Sequence, residues 1–219
     1  MIASMPASPS SSSEPDRDCP LCGRLAAFRL HWREKHPDWH NAPVPSFGPA
    51  EARLLIVGLA PGLQGANRTG RPFTGDWAGD LLYETLGDFG FANGHYDERP
   101  DDGLVLVDCR ITNAVRCVPP ENKPTGSEIA TCRPFLATTV GAMPRLKVVL
   151  ALGKIAHDSV VTALGQRPSQ LRFAHHARHR IGALTVIDSY HCSRYNTNTG
   201  RLTTPMFRAV FETIRDILD

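Results

Sequence analysis

The sequence predicts an α/β protein, a parallel sheet with helices on both faces. Four short apolar runs, at residues 53–59, 104–108, 147–152 and 184–188, have the length of buried strands. Helix-like stretches separate them, and strands alternating with helices form parallel sheets covered on both sides. With 219 residues and an apolar fraction of 42%, the chain is long enough for one domain with a full core.

The elements follow in order. The first eighteen residues, MIASMPASPSSSSEPDRD, are rich in Ser and Pro and poor in large apolar side chains, so residues 1–18 read as a disordered tail. They lack the continuous apolar stretch of a secretory signal. After Cys22, GRLAAFRLHWREKH reads as a helix, as do residues 77–89, 127–143 and 154–164. The last helix is the clearest: Thr204 can cap it, Pro205 suits its first turn, and Phe207, Val210, Phe211, Ile214 and Leu218 share one face. No segment approaches the roughly 20 apolar residues of a membrane span. The protein is therefore expected in the cytoplasm with no membrane partner, and it is also expected to act as a monomer.

The net charge of +2 singles out no partner. Of the 24 basic residues only four are Lys. Arg suits bidentate phosphate contacts, and a codon bias toward Arg accounts for the excess equally well. Six cysteines in a cytoplasmic chain point to metal or catalysis rather than disulfides. Cys19 and Cys22 form CPLC, while Cys117 and Cys132 lie far downstream with fourteen residues between them. Four thiolates suit either zinc or an iron–sulfur cube. Cys109 and Cys192 stand apart and read as buried thiols.

Three unusual stretches, 58–76, 113–125 and 191–203, each follow an expected strand, where ligands of such sheets collect. The first, GLAPGLQGANRTGRPFTGD, holds five glycines and two prolines. A phosphate loop needs GxxxxGK followed by Ser or Thr, and the dinucleotide turn needs GxGxxG. Neither is in this stretch. What remains is close backbone approach to something flat or narrow. Phe73 offers a ring and Asp76 a carboxylate, although Phe73 also reads as core and Asp76 as a helix cap before WAGDLL.

GLAPG…GANRTGRPFTGD, ITNAVRCVPPENKPT and HCSRYNTNTGRLT, in this order, resemble the signature stretches of the uracil-DNA glycosylase superfamily. The nearest branch is its iron–sulfur family 5, or type B, and the resemblance runs from Cys19 to the final helix. It implies a three-layer α/β/α sandwich around a four-stranded parallel sheet, with residues 19–219 as a single catalytic domain. It implies hydrolysis of the N-glycosidic bond of uracil in DNA, which leaves an abasic site and starts base excision repair. Hypoxanthine, xanthine and ethenocytosine are further expected bases, and DNA carrying them is the expected partner.

The resemblance also distributes roles. The extruded base would lie against Gly58, Leu59, Ala60 and Gly62, stacked on Phe73. Asn113 would pair with the O4 and N3–H edge of uracil, an edge whose donor and acceptor cytosine reverses. His191 would face the oxygen where charge collects as the base departs. Other branches place an acid or amide just after the first glycine, where this chain has Leu59 and Ala60, so the water-handling role passes to Asp76, helped by Asn113. Ser193, Arg194, Tyr195 and Asn196 would contact DNA, with Tyr195 or Arg194 as a wedge in the vacated space. Lys123 would touch a phosphate. Cys19, Cys22, Cys117 and Cys132 would hold a [4Fe–4S] cluster, with zinc as the other choice. Where relatives often have Pro, Cys192 follows His191. The departure at Leu59 and Ala60 leaves a second reading, a four-cysteine module that binds nucleic acid without cutting it. The basic stretch at residues 166–180 reads as a DNA-backbone track or as a solvated loop, and its histidines as exposed groups with no fixed geometry.

Overall fold

The computed structural model describes residues 13–219. In chain order the elements are α1 (Gly23–Lys35), β1 (Leu54–Gly58), α2 (Ala66–Thr69), α3 (Trp77–Asp88), β2 (Ala92–Asn93), β3 (Val105–Leu106), β4 (Cys109–Asn113), α4 (Gly126–Gly141), β5 (Val148–Leu152), α5 (Lys154–Ala163), β6 (Arg178–Ile181), β7 (Leu184–Ser189), α6 (Arg194–Asn198) and α7 (Thr204–Leu218). The main sheet runs β4-β1-β5-β7-β6. Its first four strands are mutually parallel, and β6 pairs antiparallel with β7 at the edge.

The alternation of β1 divides the core. Leu54 and Ile56 face α3 and α7, packing with Leu82, Leu86, Phe207 and Phe211. Leu55 and Val57 face α4 and α5, packing with Leu136, Val160 and Met143, the last at the end of the α4 side. The three layers expected from the sequence are therefore present, with two separate apolar cores divided by one sheet.

One strand lies elsewhere than expected. Residues 104–108 do not enter the main sheet; β3 forms a two-stranded flank with β2, and the sheet strand is β4. The run LVLVD alternates in fact: Leu104 and Leu106 are buried, while Val105 and Val107 are exposed. CRITN is less apolar because β4 is an edge strand. Arg110 on it reaches the carbonyl of Gly48. Phe47 covers the open edge through paired bonds with Ile111, 2.9 and 2.7 Å.

Three smaller differences concern two helix caps and the start of the described chain. Thr203 rather than Thr204 caps α7, accepting from the Met206 amide at 3.3 Å. After His191, Ser193 accepts from the Asn196 amide and starts the short helix α6, which was not expected from the sequence. Residues 1–12 of the expected tail lie outside the described residues, and residues 13–18 are tied down. Glu14 bonds the buried guanidinium of Arg116 at 2.8 Å, and Asp18 bonds Arg33 at 2.7 Å. Burying Arg116 without an anion would be costly, so the last residues of the expected tail become part of the fold.

The histidines near the sheet edge also have fixed geometry. Asp188 bridges two imidazoles, His157 Nδ1 at 2.7 Å and His179 Nε2 at 3.0 Å, and His157 Nε2 meets the Leu171 carbonyl at 2.7 Å. The segment at residues 166–180 is thus partly a packed edge: β6 closes it against β7.

Candidate active site

The strand ends build the site. Gly58 and Asn113 are register partners at the C-terminal ends of β1 and β4. The loops beyond stay paired, with Ala114 N bonded to Gly58 O and Val115 N to Leu59 O, each at 2.9 Å. Two loops of the sequence are thereby held side by side.

Glycine at 58 follows from what lies above it. A Cβ there would stand 2.5 Å from Asn113 Oδ1 and 2.7 Å from Phe73 Cζ. The amide and the ring both rest on a bare α-carbon. Gly65 serves Asp76 in the same way, since a Cβ would come within 2.5 Å of Asp76 Oδ2. These glycines admit side chains, not phosphate.

Phe73 is buried and has φ +54°, in the left-handed region. A non-glycine residue there carries about 1–3 kcal/mol of strain and needs a frame. The frame is polar and buried. Tyr83 donates to Pro72 O at 2.6 Å. The Tyr96 hydroxyl donates to Phe73 O at 3.1 Å and accepts from Gly75 N at 3.3 Å. Arg71 grips Thr74 Oγ1 at 2.7 Å and Asp102 bidentately at 2.8 and 2.6 Å, under the rings of Phe47, Tyr83 and Tyr96. The Arg71 bonds hold the Asp102 carboxyl far below the usual carboxylate range, against its burial. Replacing Asp102 with Asn breaks this pair and leaves Arg71 uncompensated. A loss of about 3–5 kcal/mol in urea unfolding is the expected result. Wild-type stability from this pair is present above the unfolded carboxylate pKa and falls away in acid, so the variant should show a flatter acid limb.

A cavity of about 630 Å³ opens above these groups, lined by Leu59, Ala60, Gly62, Phe73, Asp76, Asn113, His191, Ser193 and Arg194, among others. The rings of Phe73 and His191 lie 5.8 Å apart and 26° from parallel. Neither ring nitrogen of His191 bonds another described residue, and Nδ1 is buried. Burial pushes its pKa down to about 4, so the imidazole is neutral at physiological pH. Its carbonyl accepts from Asn196 Nδ2 at 2.8 Å. Asp76 caps α3 by accepting from Ala78 N at 3.2 Å, and still borders the cavity. Burial raises its pKa, against the pull of the Ala78 and Gly79 amides.

The remaining expected residues are placed as follows. Gly58 underlies the cavity rather than lining it. Tyr195 projects outward and is 71% exposed. Asn196 turns inward to His191. Lys123 is exposed, 3.5 Å from Glu121, and does not line the cavity. Cavity residues not expected from the sequence include the polar or aromatic Gln64, Trp77 and Asn122. An aromatic immediately after the Gly-Asp that ends the glycine-rich stretch was the available signal for Trp77.

A second, small apolar recess holds Cys19, Cys22, Cys117 and Cys132 together beneath α1 and α4. Arg29, fully buried, donates from Nη1 to Cys117 Sγ at 3.2 Å, and the Arg116 amide faces Cys132 Sγ at 3.3 Å. Among the described residues Arg29 has no carboxylate partner, and its Nε is unsatisfied. A buried cation among four sulfurs fits a site whose thiolates carry negative charge on a metal. Cys109 and Cys192 are buried elsewhere, and Cys192 Sγ donates to Ala78 O at 3.3 Å.

This is an α/β sheet protein with a polar-floored, aromatic-walled cavity at its strand ends. Residues 45–215 match the family model described as the Uracil DNA glycosylase superfamily. A type-5 uracil-DNA glycosylase of Thermus thermophilus is 43% identical over 203 residues, covering 88% of this chain and 90% of that protein. The type-5 enzyme of Pyrobaculum aerophilum is 38% identical, covering 85% and 83%. That of Mycobacterium bovis is 39% identical, covering 88% and 75%. The chain belongs to the uracil-DNA glycosylase superfamily.

Proposed function

We propose that the chain is a monofunctional DNA glycosylase that extrudes uracil from DNA and hydrolyses its N-glycosidic bond. The observation that carries the reading is the meeting of a ring, an amide, a neutral imidazole and a carboxylate at one cavity above the parallel strand ends.

The base is stacked and paired in a duplex, so extrusion must come first, at a cost of a few kcal/mol. Phe73 receives the extruded ring face to face; such stacking supplies roughly 1–3 kcal/mol. Asn113 reads the O4 and N3–H edge with its two-sided amide. The C1′–N1 bond then breaks, its electron pair leaving with the base. His191, neutral, donates a hydrogen bond to the oxygen that gathers this charge, without giving up its proton. Water adds to the electron-poor C1′, and Asp76 takes the water's proton. Bond breaking leads in such oxocarbenium-like reactions, so a carboxylate partly occupied as a helix cap suffices. The departed base anion takes up a proton from solvent and Asp76 gives its proton back, so the products are the free base and an abasic site.

Ser193, Arg194, Tyr195 and Lys123 are the proposed DNA contacts, with Asn196 steadying the His191 backbone. Cys19, Cys22, Cys117 and Cys132 are the proposed holders of a [4Fe–4S] cluster, which when bound supplies a structural clasp between α1 and the loop after β4. The protein is proposed to act as a monomer, and other deaminated bases are proposed as secondary substrates.

Purified protein incubated with a uracil-containing oligonucleotide, then alkali, is expected to give strand breaks at uracil alone. Intact strands from uracil, hypoxanthine and xanthine substrates alike would instead support a binding module. A visible charge-transfer band that bleaches on iron chelation distinguishes the cluster from zinc.

A further inference from the structure

Trp77 has no part in the chemistry above, yet it stands at the mouth of the cavity. It is the first residue of α3, directly after Asp76, and lines the opening. Its side chain is 48% exposed. Among the described residues, the strongly exposed large apolar side chains include only two aromatics, Trp77 and Tyr195, and both belong to elements bordering this opening. An exposed indole is a poor use of the most apolar area a side chain offers, unless something covers it.

The ring is also held in place. Its Nε1 donates to Thr197 Oγ1 of α6 at 3.0 Å. The guanidinium of Arg194 lies over it, 5.4 Å from the ring centroid. A fixed, half-exposed aromatic ring with a cation over it has the chemistry of a nucleotide subsite: the exposed part of the ring takes a base, the cation a phosphate.

We infer that Trp77 is a stacking platform for the unpaired base next to the extruded one, and that it favours single-stranded DNA. This rests on the glycosylase reading of the cavity. In a duplex, the neighbouring bases stay paired and stacked and gain little from another ring. In a single strand, extrusion leaves the neighbour without a partner, and the indole face replaces what it lost. Arg194, over the ring and able to swing off it, is placed for the phosphate that joins the two nucleotides.

The test compares wild type, Trp77→Ala and Trp77→Phe on one uracil oligonucleotide, single-stranded and paired. Trp77→Ala is expected to raise KM for the single strand about ten-fold, within the range of one lost base stack, and for the duplex less than about three-fold. Trp77→Phe keeps a ring but loses the bond to Thr197, so its KM should stay near wild type. Equal losses in both variants would assign Trp77 to holding α6 and overturn the platform. Equal losses on both substrates would overturn the single-strand preference. A second readout needs no turnover. Titration with a single strand carrying a non-cleavable abasic analogue should quench tryptophan fluorescence in wild type and not in Trp77→Phe, where Trp32 and Trp39 remain. Identical quenching sinks the inference. If wild-type protein releases no uracil at all, the glycosylase reading fails instead, and the quenching result still reports on the platform.

Discussion

Replacement of His191 by alanine is expected to lower kcat for uracil release by about a hundred- to a thousand-fold, the usual cost of one preset donor to a developing anion. DNA binding should change little, because the lost bond forms mainly as the base departs. The geometry favours this division. The imidazole lies beside Phe73, with no described residue occupying either ring nitrogen, and its backbone is pinned through Asn196. A preset donor needs no reorganisation when charge appears. Single-turnover kinetics on a uracil duplex, with binding followed separately, would check the split; an unchanged cleavage rate would remove His191 from the mechanism.

The same groups set the pH behaviour. Burial holds His191 down at about 4, so it adds no inflection near the ordinary histidine pKa. Asp76 is displaced the other way, upward from the ordinary carboxylate value, by its burial. In the proposed mechanism its ionised form accepts the water's proton. The rate is expected to fall in acid as Asp76 protonates, starting at a higher pH than an ordinary carboxylate would give.

How much of this was legible in the sequence depends on the range of the signal. β1 and β5 are buried along their whole length and read as unbroken apolar runs, while β7 is marked by the short apolar centre of LTVIDS. β4 sits at an edge, carries Arg110 and Thr112, and loses to the more apolar run just before it. β6, reading RHRI, is held by pairing with β7 and has no apolar face to announce it. The site followed the same rule. Gly58, Phe73, Asn113 and His191 fall in stretches whose composition is unusual on its face. The frame of Phe73 does not. Arg71 meets Asp102, and Tyr96 reaches back to Phe73, across gaps that carry no period. Arg29 beside Cys117 was hidden likewise, as one arginine among twenty. Local composition marked where chemistry occurs; the contacts that aim it were set by the fold.

Gly58→Ala tests whether those aimed groups act as one site. The change adds a single methyl group and removes no functional group. Gly58 belongs to a central strand, between β4 and β5, so its backbone has little freedom to retreat. The new carbon would stand 2.5 Å from Asn113 Oδ1 and 2.7 Å from Phe73 Cζ, well inside van der Waals contact. The Phe73 backbone is clamped by Tyr96 and Tyr83, so the ring cannot follow a shifted loop cheaply. The amide and the ring must therefore part. A displacement near one ångström is enough to cost about a hundred-fold in rate when geometry carries the catalysis. The expected result is a loss of roughly that size in kcat/KM for uracil, with thermal unfolding lowered by an amount typical of local overpacking, about 1–3 kcal/mol. Pairing this with Asn113→Ala makes the argument sharper. If the clash with Asn113 is what matters, truncating that amide relieves it, and the double variant should lose less than the product of the two single losses. Fully multiplicative losses would mean that the two residues act at separate places, and the shared cavity would no longer explain the reaction.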